Sequence, residues 1–122
     1  MSGAPESFAQ RCGLQTAQRT ASVECVEKLI GQRGLELVRF VWCDIHGVTR
    51  GKTLVAAAAA RAMDDGVGMV STLMLKDTSD RTVYKVFEPG GADELPGFAC
   101  ASNLLLMGDP ASLKVLPWQP DT

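Results

Sequence analysis

The sequence predicts a small α+β domain with a mainly antiparallel sheet, and three observations lead to this prediction. Residues 35–54 read as a dense apolar strand, a tight turn at His46 and Gly47, and a more polar return strand. Residues 56–60 are all alanine, which favours a helix soon after this hairpin. Short apolar segments separated by turn residues follow, as in strands joined by loops. The order helix, two strands, helix and several strands indicates an α+β arrangement.

Length and composition narrow the class of protein. The 122 residues suffice for one domain with a core, and 46% hydrophobic with 21% charged residues is ordinary globular composition. A net charge of -2 and a pI of about 5.3 give no basic surface for nucleic acid. No run approaches the ~18 apolar residues of a membrane span. We expect neither a nucleic acid nor a membrane as partner.

The four cysteines are scattered along the chain, which has one histidine. Without a CxxC pair or clustered imidazoles, no metal site is predicted. The first residues lack a basic start followed by an apolar run, so no secretion signal is expected. We therefore expect four free thiols and a cytoplasmic protein, with Cys43 acting as a small hydrophobic residue in its strand.

The N-terminal part contains one predicted helix. Residues 1–20 have few large apolar side chains and are predicted to be a loose N-terminal arm, with the domain proper over residues 21–122. Ser22 can cap a helix that ends at Gly34. The apolar stripe of this helix consists of Val23, Val26 and Ile30.

Residue types predict both strands of the hairpin and the helix that comes after it in the sequence. The first strand is so densely apolar that it suits a strand covered on both faces, or on one face plus a partner surface. Thr53 is the predicted cap of the alanine-rich helix, which should stop at residues 64–66. We expect one or two helices to pack on one twisted sheet.

The second half of the chain predicts strands and loops. Residues 67–75 and the alternating residues 81–87 are predicted strands that could pair antiparallel. Residues 88–97 contain three glycines and two prolines and are a predicted loop. Residues 102–107 and 113–116 are further short strands. Trp118, which lies between two prolines, is either a core residue or an interface anchor.

Several residues could carry chemistry, but simpler interpretations compete. Gly51-Lys52-Thr53 resembles the end of a phosphate-binding loop, yet only three residues separate it from Gly47, so a hairpin turn is the better interpretation. Asp44 and His46, with Lys52, could serve proton transfer in a small independent enzyme, but no nucleophile motif or second histidine accompanies them. A solvated turn is favoured.

Acidic residues are grouped at two further positions. Asp64 with Asp65, and Asp77 with Asp80, could hold a hard cation, but their spacing matches no calcium loop. A helix terminus and a turn are the simpler interpretations, although a turn between strands can also line a site. No catalytic residue is assigned in this chain.

Three stretches together resemble the glutamine synthetase family, in particular its glutamine synthetase-like and γ-glutamylpolyamine synthetase-like branches. VRFVWCDIHGVTRGKTL (residues 38–54) resembles the opening hairpin of the family's N-terminal domain. LKDTSDRTVYKVFEPGG (residues 75–91) and ASNLLLMGDPASLKVLPWQPDT (residues 101–122) are similar to its later segments. The resemblance covers roughly residues 22–122.

The resemblance implies a β-grasp fold and a role in nitrogen metabolism and glutamine biosynthesis. In this family a larger catalytic domain follows and carries the ATP, metal and glutamate sites, with Mg²⁺ or Mn²⁺ expected in the full-length enzyme. The implied partner is the catalytic domain of the same or a neighbouring subunit in a ring homo-oligomer, where this domain forms one wall of the active site. This chain alone is then expected to lack ligase activity.

The resemblance also implies a weak candidate site at Ser71 and Thr72 on the amine side of that wall. Family members have an aspartate in this element that helps to bind ammonium, and no aspartate stands at the matching position here. Hydroxyl groups cannot supply the negative charge that holds ammonium, so another amine is as good a candidate. Asn103 and Gly108 also depart from the Asp and Pro of the family's closing segment.

Two further hypotheses stay open. The chain could be a stand-alone β-grasp module that docks on a partner or regulates a full-length paralogue, or the small independent enzyme described above. A domain that packs between subunits should expose apolar area when alone. We therefore expect weak self-association or a mobile loop over residues 88–97.

Overall fold

The computed structural model describes residues 5–122, and residues 1–4 of the predicted arm lie outside the described part. The α+β prediction is confirmed: two antiparallel strand pairs accompany several helices. The chain divides into two compact units. The helical unit contains the described residues up to 40, residues 52–67 and residues 107–122, and the loop-rich unit contains residues 41–51 and 68–106.

The elements follow one another in the order helix, helix, hairpin, helix and a second strand pair. The α-helices are α1 (Phe8–Arg11), α2 (Ala17–Arg33) and α3 (Ala56–Asp65). The strands are β1 (Leu37–Cys43), β2 (Thr49–Val55), β3 (Val67–Val70) and β4 (Asn103–Leu106), paired as β1 with β2 and β3 with β4. Short 3₁₀ helices span Ser71–Leu75, Ala99–Ala101 and Pro110–Ser112.

The predicted loose arm differs from the observed structure. Ser7 caps α1 by accepting a hydrogen bond from the backbone N–H of Gln10, whose side chain accepts one from the N–H of Ser7 in return. Ala9 of α1 is fully buried. The hydroxyl of Thr16 caps α2, so this helix begins well before Ser22, the predicted cap. Two capping residues thus give the segment helical structure despite its few large apolar side chains.

One cluster of buried side chains forms the core of the helical unit. Its buried members are Val26, Val38, Phe40, Ala59, Ala62, Met63 and Val67, and the partly buried Val23, Ile30, Leu54 and Leu113 pack against them. The helix α2 supplies Val23, Val26 and Ile30, which is the stripe that the sequence predicts. Gly34, with a φ of 64°, ends this helix in the left-handed conformation that glycine adopts without strain.

The hairpin prediction is confirmed, but its burial is one-sided. Along β1 buried and exposed residues alternate, and Val41 keeps 60% of its surface exposed. Cys43 is likewise exposed, so it does not act as a buried hydrophobic residue. Of the two predicted arrangements, cover on both faces within the domain is therefore wrong, because a two-stranded sheet with one packed face leaves the other to solvent, and cover of the second face by a partner surface stays a prediction.

Close contacts position α3 in the helical unit. The helix follows β2 directly after Val55, without a side-chain cap, so Thr53 is not the cap that was predicted. Arg19 of α2 donates from Nη2 to the carbonyl of Met63 at 2.7 Å and from Nη1 to the carbonyl of Gly108 at 3.0 Å. These bonds satisfy one carbonyl group in the last turn of α3 and one at residue 108, in the C-terminal stretch of the same unit.

The loop-rich unit contains turns where a strand was predicted over residues 81–87. Residues 81–87 form only one isolated bridge, between Lys76 and Thr82, because the chain turns at Val86. The N–H of Val86 donates to the carbonyl of Tyr84, and the carbonyl of Val86 accepts from Cys100. Val86 forms the core of this unit with Leu75 and Ala92.

The other strand predictions are confirmed in part. Residues 67–75 contain β3, but they continue as the 3₁₀ helix Ser71–Leu75 instead of one long strand. The strand predicted over residues 102–107 is confirmed as β4. Residues 113–116 form no extended strand and contribute only the isolated bridge from Leu116 to Gln119.

Candidate functional site

The loop-rich unit contains a buried carboxylate, Asp44, at the end of the first hairpin strand. Its side chain is 1% exposed. One oxygen, Oδ1, accepts hydrogen bonds from the backbone N–H groups of His46 at 2.9 Å and Val48 at 3.0 Å. The other, Oδ2, accepts from Nε of Arg50 at 2.9 Å. Three hydrogen bonds thus tie this carboxylate to the residues of the hairpin turn and the strand after it.

Arg50 connects the hairpin tip to a second turn in the same unit. Its Nη2 donates to Oδ1 of Asp80 at 3.1 Å, and Nζ of Lys76 donates to the backbone carbonyl of Asp80 at 2.9 Å. Asp80 has a φ of 60°, in the left-handed region that Asp tolerates better than most residues. We call Asp44, Arg50, Lys76 and Asp80 the hairpin cluster.

The charge states of the cluster follow from its hydrogen bonds. Burial raises the pKa of Asp44, but the bonds from the Val48 N–H, the Arg50 guanidinium and the His46 N–H outweigh it, so the pKa lies below the ordinary value of 3.8. The bond to Asp44 is the main cause that raises the pKa of Arg50. Asp44 is therefore ionised at neutral pH and engaged by three donors.

This geometry weakens the case for a small independent enzyme. The contact between Asp44 and His46 is made by the backbone N–H of His46, and the carboxylate is already paired with Arg50. A general base needs a free lone pair within reach of its proton. Asp44 therefore acts as a structural group that fixes the turn.

Ser71 and Thr72, the predicted amine-side residues, lie in the 3₁₀ helix that follows β3. Both are buried, with 0% and 8% of their surface exposed. The backbone N–H of Ser71 donates to the carbonyl of Ser102 at 2.8 Å. The Ser71 hydroxyl is buried without a hydrogen-bond partner among residues 5–122. Of the two, Thr72 is the one with surface left for a ligand.

The acidic pairs and the cysteines singled out in the sequence can also be located in the structure. Asp64 and Asp65 are at the C-terminal end of α3. Asp77 organises the turn that includes Asp80, because its Oδ1 accepts from the N–H groups of Ser79 and Arg81. Within residues 5–122 no three His, Cys, Asp or Glu side chains are grouped as metal ligands would be. The four cysteines are free thiols, all exposed.

Sequence reasoning missed the roles of two arginines. Arg50 belongs to the Arg-Gly-Lys stretch of the family resemblance, and its place two residues beyond Val48, which lies opposite Asp44, could have indicated a diagonal ion pair across the hairpin. Asp80 lies 30 residues from Arg50 and carries no such signal. Arg19 fell in the predicted arm, so its bonds to α3 and Gly108 were not expected.

Comparison with known proteins supports a fragment of a ligase-like protein related to glutamine synthetase. No protein-family model matches the chain. It is similar to a γ-glutamylanilide synthase of an Acinetobacter species, with 29% identity over 118 residues. The matched region covers 94% of this chain and 24% of that protein, so the chain spans about a quarter of its relative's length.

No helix within residues 5–122 combines the length and the apolar character needed to cross a membrane.

Proposed function

We propose that this chain is the N-terminal β-grasp domain of a glutamine synthetase-like, ATP-dependent glutamate–ammonia or glutamate–amine ligase. In this proposal it forms one wall of an active site between subunits and is inactive alone. The observation that carries the proposal is the 118-residue similarity to about a quarter of a γ-glutamylanilide synthase. The catalytic domain supplies the sites for ATP, Mg²⁺ or Mn²⁺ and glutamate, in a cytoplasmic ring homo-oligomer.

The hairpin cluster supports this proposal at the level of individual residues. Two of the stretches that resemble the family, residues 38–54 and 75–91, are joined by the bond from Arg50 to Asp80. The residues of the family-like stretches therefore have a physical role here, since they hold a hairpin tip and a turn in a fixed arrangement. A rigid wall needs such bonds because turns without them are mobile.

Exposed apolar side chains of the loop-rich unit support a large protein partner. This unit buries few hydrophobic residues, yet it leaves several large ones exposed, and Phe87 keeps 75% of its surface exposed. Other exposed members are Val41, Ile45, Val48, Val83, Tyr84 and Leu105. Exposed apolar surface of this kind is typical of interfaces. We propose that the catalytic domain covers part of it.

The amine-side wall, as proposed, carries no charge. Residues 67–75 contain no Asp or Glu, and Thr72 contributes a neutral hydroxyl group, whereas Ser71 is fully buried. Such a wall favours an amine that is uncharged at neutral pH over the ammonium ion, because nothing in it compensates a positive charge. An aromatic amine, the kind named in the product of the Acinetobacter relative, has this property.

Phosphate release tests the proposal. The purified chain, given ATP, glutamate, Mg²⁺ and a panel of amines, should release no phosphate above the protein-free control. Adding it to a glutamine synthetase-like ligase from which the equivalent N-terminal region has been deleted should restore amine-dependent release. Turnover by the chain alone would refute the claim that it is inactive alone.

The same mixture separates this proposal from a stand-alone regulatory module. A regulator should bind an intact ligase and change its rate without restoring the truncated one. If the chain restores activity to the truncated ligase, it forms part of the active site and is not a regulator. Thr72→Val should reduce this restoration, and the exposed-site control Lys85→Ala should leave it unchanged.

A further inference from the structure

The 3₁₀ helix Ser71–Leu75, which carries the proposed amine-side hydroxyl, is held at both ends by one short segment of the loop-rich unit. At the start of the helix, the N–H of Ser71 donates to the carbonyl of Ser102 at 2.8 Å. At its end, Leu75 belongs to the buried cluster against which Ala101 packs. Two neighbouring residues therefore set where this helix lies in its unit.

The backbone of that segment is strained. Cys100 and Ala101 have φ values of 59° and 52°, in the left-handed region that residues with a Cβ rarely adopt. The N–H of Cys100 donates to the carbonyl of Val86 at 2.9 Å, which holds the turn in place. Strain of this kind persists only where the surrounding contacts compensate it, and it is concentrated at functional sites. We call residues 98–102 the left-handed segment.

The side chain of Cys100 gives nothing in return for the strain. It is exposed, so it buries no compensating surface, and glycine would adopt the same backbone conformation without steric cost. The compensating contacts are made by the backbone of the left-handed segment and by Ala101. They lie on the helix that carries Thr72 and on the buried cluster of the unit.

We propose that Cys100, through its left-handed backbone, is a positioning residue for the amine-side wall, an inference that rests on the proposed function. Its conformation places the carbonyl of Ser102 that holds Ser71, and Thr72 directly follows Ser71 in the helix. A shift of about 1 Å in a group that contacts a substrate is costly. Loss of the left-handed conformation should therefore weaken binding of the amine. Binding of ATP and glutamate, whose sites the catalytic domain supplies, should not change.

Hydrogen exchange of the Ser71 amide in the full 122-residue chain tests the positioning step. Cys100→Gly relieves the strain and should slow this exchange about two- to five-fold. Cys100→Val places a β-branched residue in the left-handed region and should accelerate it about ten-fold. Amides of α2, in the helical unit, should exchange at the wild-type rate in both variants.

Two further variants separate backbone conformation from thiol chemistry. Cys100→Ala removes the thiol but keeps a Cβ, so the Ser71 amide should exchange as in the wild type. Cys43→Val makes the valine replacement at an exposed position of β1, where valine is favoured, and should also leave the exchange of Ser71 unchanged. Far-UV circular dichroism checks that each variant is folded, and Cys100→Gly decides the test if Cys100→Val does not fold.

Reconstitution of the truncated ligase tests the consequence for the amine. With the Cys100→Val chain, the KM for the amine should rise about ten-fold, while the KM values for glutamate and ATP stay unchanged. With the Cys100→Gly chain, the KM for the amine should stay at the wild-type value. A merely structural role would lower the amount of active complex, and with it the apparent kcat, without a selective change in KM.

Equal exchange rates of the Ser71 amide in the wild type, Cys100→Gly and Cys100→Val would overturn the positioning role. A wild-type KM for the amine in the ligase restored with Cys100→Val would overturn it as well, while the proposed function would stand. If the exchange rates differ as expected but the wild-type chain does not restore the ligase, the proposed function is refuted and the amine-side role with it.

Discussion

The two units of this protein are stabilised in different ways. In the helical unit, side chains from α2, β1, β2, α3 and residue 113 meet in one apolar cluster, with Arg19 closing hydrogen bonds at its margin. In the loop-rich unit the buried apolar residues are few, and turns are held by backbone hydrogen bonds and by the hairpin cluster. Apolar burial resists acid and salt, whereas polar networks depend on charge state. We therefore expect acid and salt to destabilise the loop-rich unit more than the helical unit.

Replacing one phenylalanine in each unit should give the largest contrast. Phe40→Ala removes a buried ring from the helical cluster and should lower the free energy of unfolding by about 3 to 5 kcal/mol. Phe87→Ala removes an exposed ring and should change it by less than about 0.5 kcal/mol. Urea unfolding followed by circular dichroism measures both. Equal losses would mean that Phe87 is packed in solution.

Two glycines of the helical unit should respond with opposite signs. A Cβ at Gly108 would lie 2.8 Å from Cε1 of Phe40, so Gly108→Ala forces the ring to move and should cost about 1 to 3 kcal/mol. A Cβ at Gly31, near the end of α2, meets no atom within 4 Å. Gly31→Ala should therefore stabilise the protein by about 0.5 kcal/mol through helix propensity. The same unfolding curves measure both, and a stable Gly108→Ala variant would contradict this packing.

Acid should loosen the loop-rich unit through Asp44. Its folded-state pKa is below the ordinary 3.8, so the carboxylate stabilises the hairpin fully at pH values well above 3.8. That stabilisation falls as the pH drops below 3.8 and is lost below the folded-state pKa. Hydrogen exchange of the Val48 amide, corrected for its intrinsic rate, should lose protection over this range.

Asp44→Asn supplies the control for the acid effect. An amide can accept from the same N–H groups but does not titrate, so protection of Val48 should be weaker at pH 7 and nearly independent of pH. Amides of α2 serve as the internal reference in the helical unit. Identical acid responses of Val48 in both proteins would show that another group is responsible.

The sequence predicted the elements of residues 23–65 better than those of residues 67–116, for a physical reason. The hairpin, the alanine helix and the stripe of Val23, Val26 and Ile30 depend on local periodicity, which the structure retains. Residues 81–87 alternate like a strand, but the local turn at Val86 and its bond to Cys100 override that pattern. Local propensity is a weak guide where contacts between distant residues decide.

Prediction of the candidate site was limited in the same way. Ser71 and Thr72 were selected by resemblance, and their burial follows from packing that no residue pattern reveals. Of the hairpin cluster, the proximity of Asp44 and Arg50 follows from hairpin geometry, whereas Asp80 reaches Arg50 through a turn with a left-handed residue.

The helical unit is assembled from three separated stretches of sequence. Residues 68–106, which belong to the loop-rich unit, lie between the second stretch and the third. During synthesis on the ribosome, α2 and α3 therefore emerge long before residues 107–122, which bring Leu113 against them. Until then the apolar surface that Leu113 covers is open to water, and exposed apolar surface of this kind favours aggregation of incompletely folded chains. A protease cut within residues 88–97 would leave the two fragments held together by the packing of Leu113 and the bonds of Asp121 and Gly108, so nicked protein should migrate as one species until it is denatured.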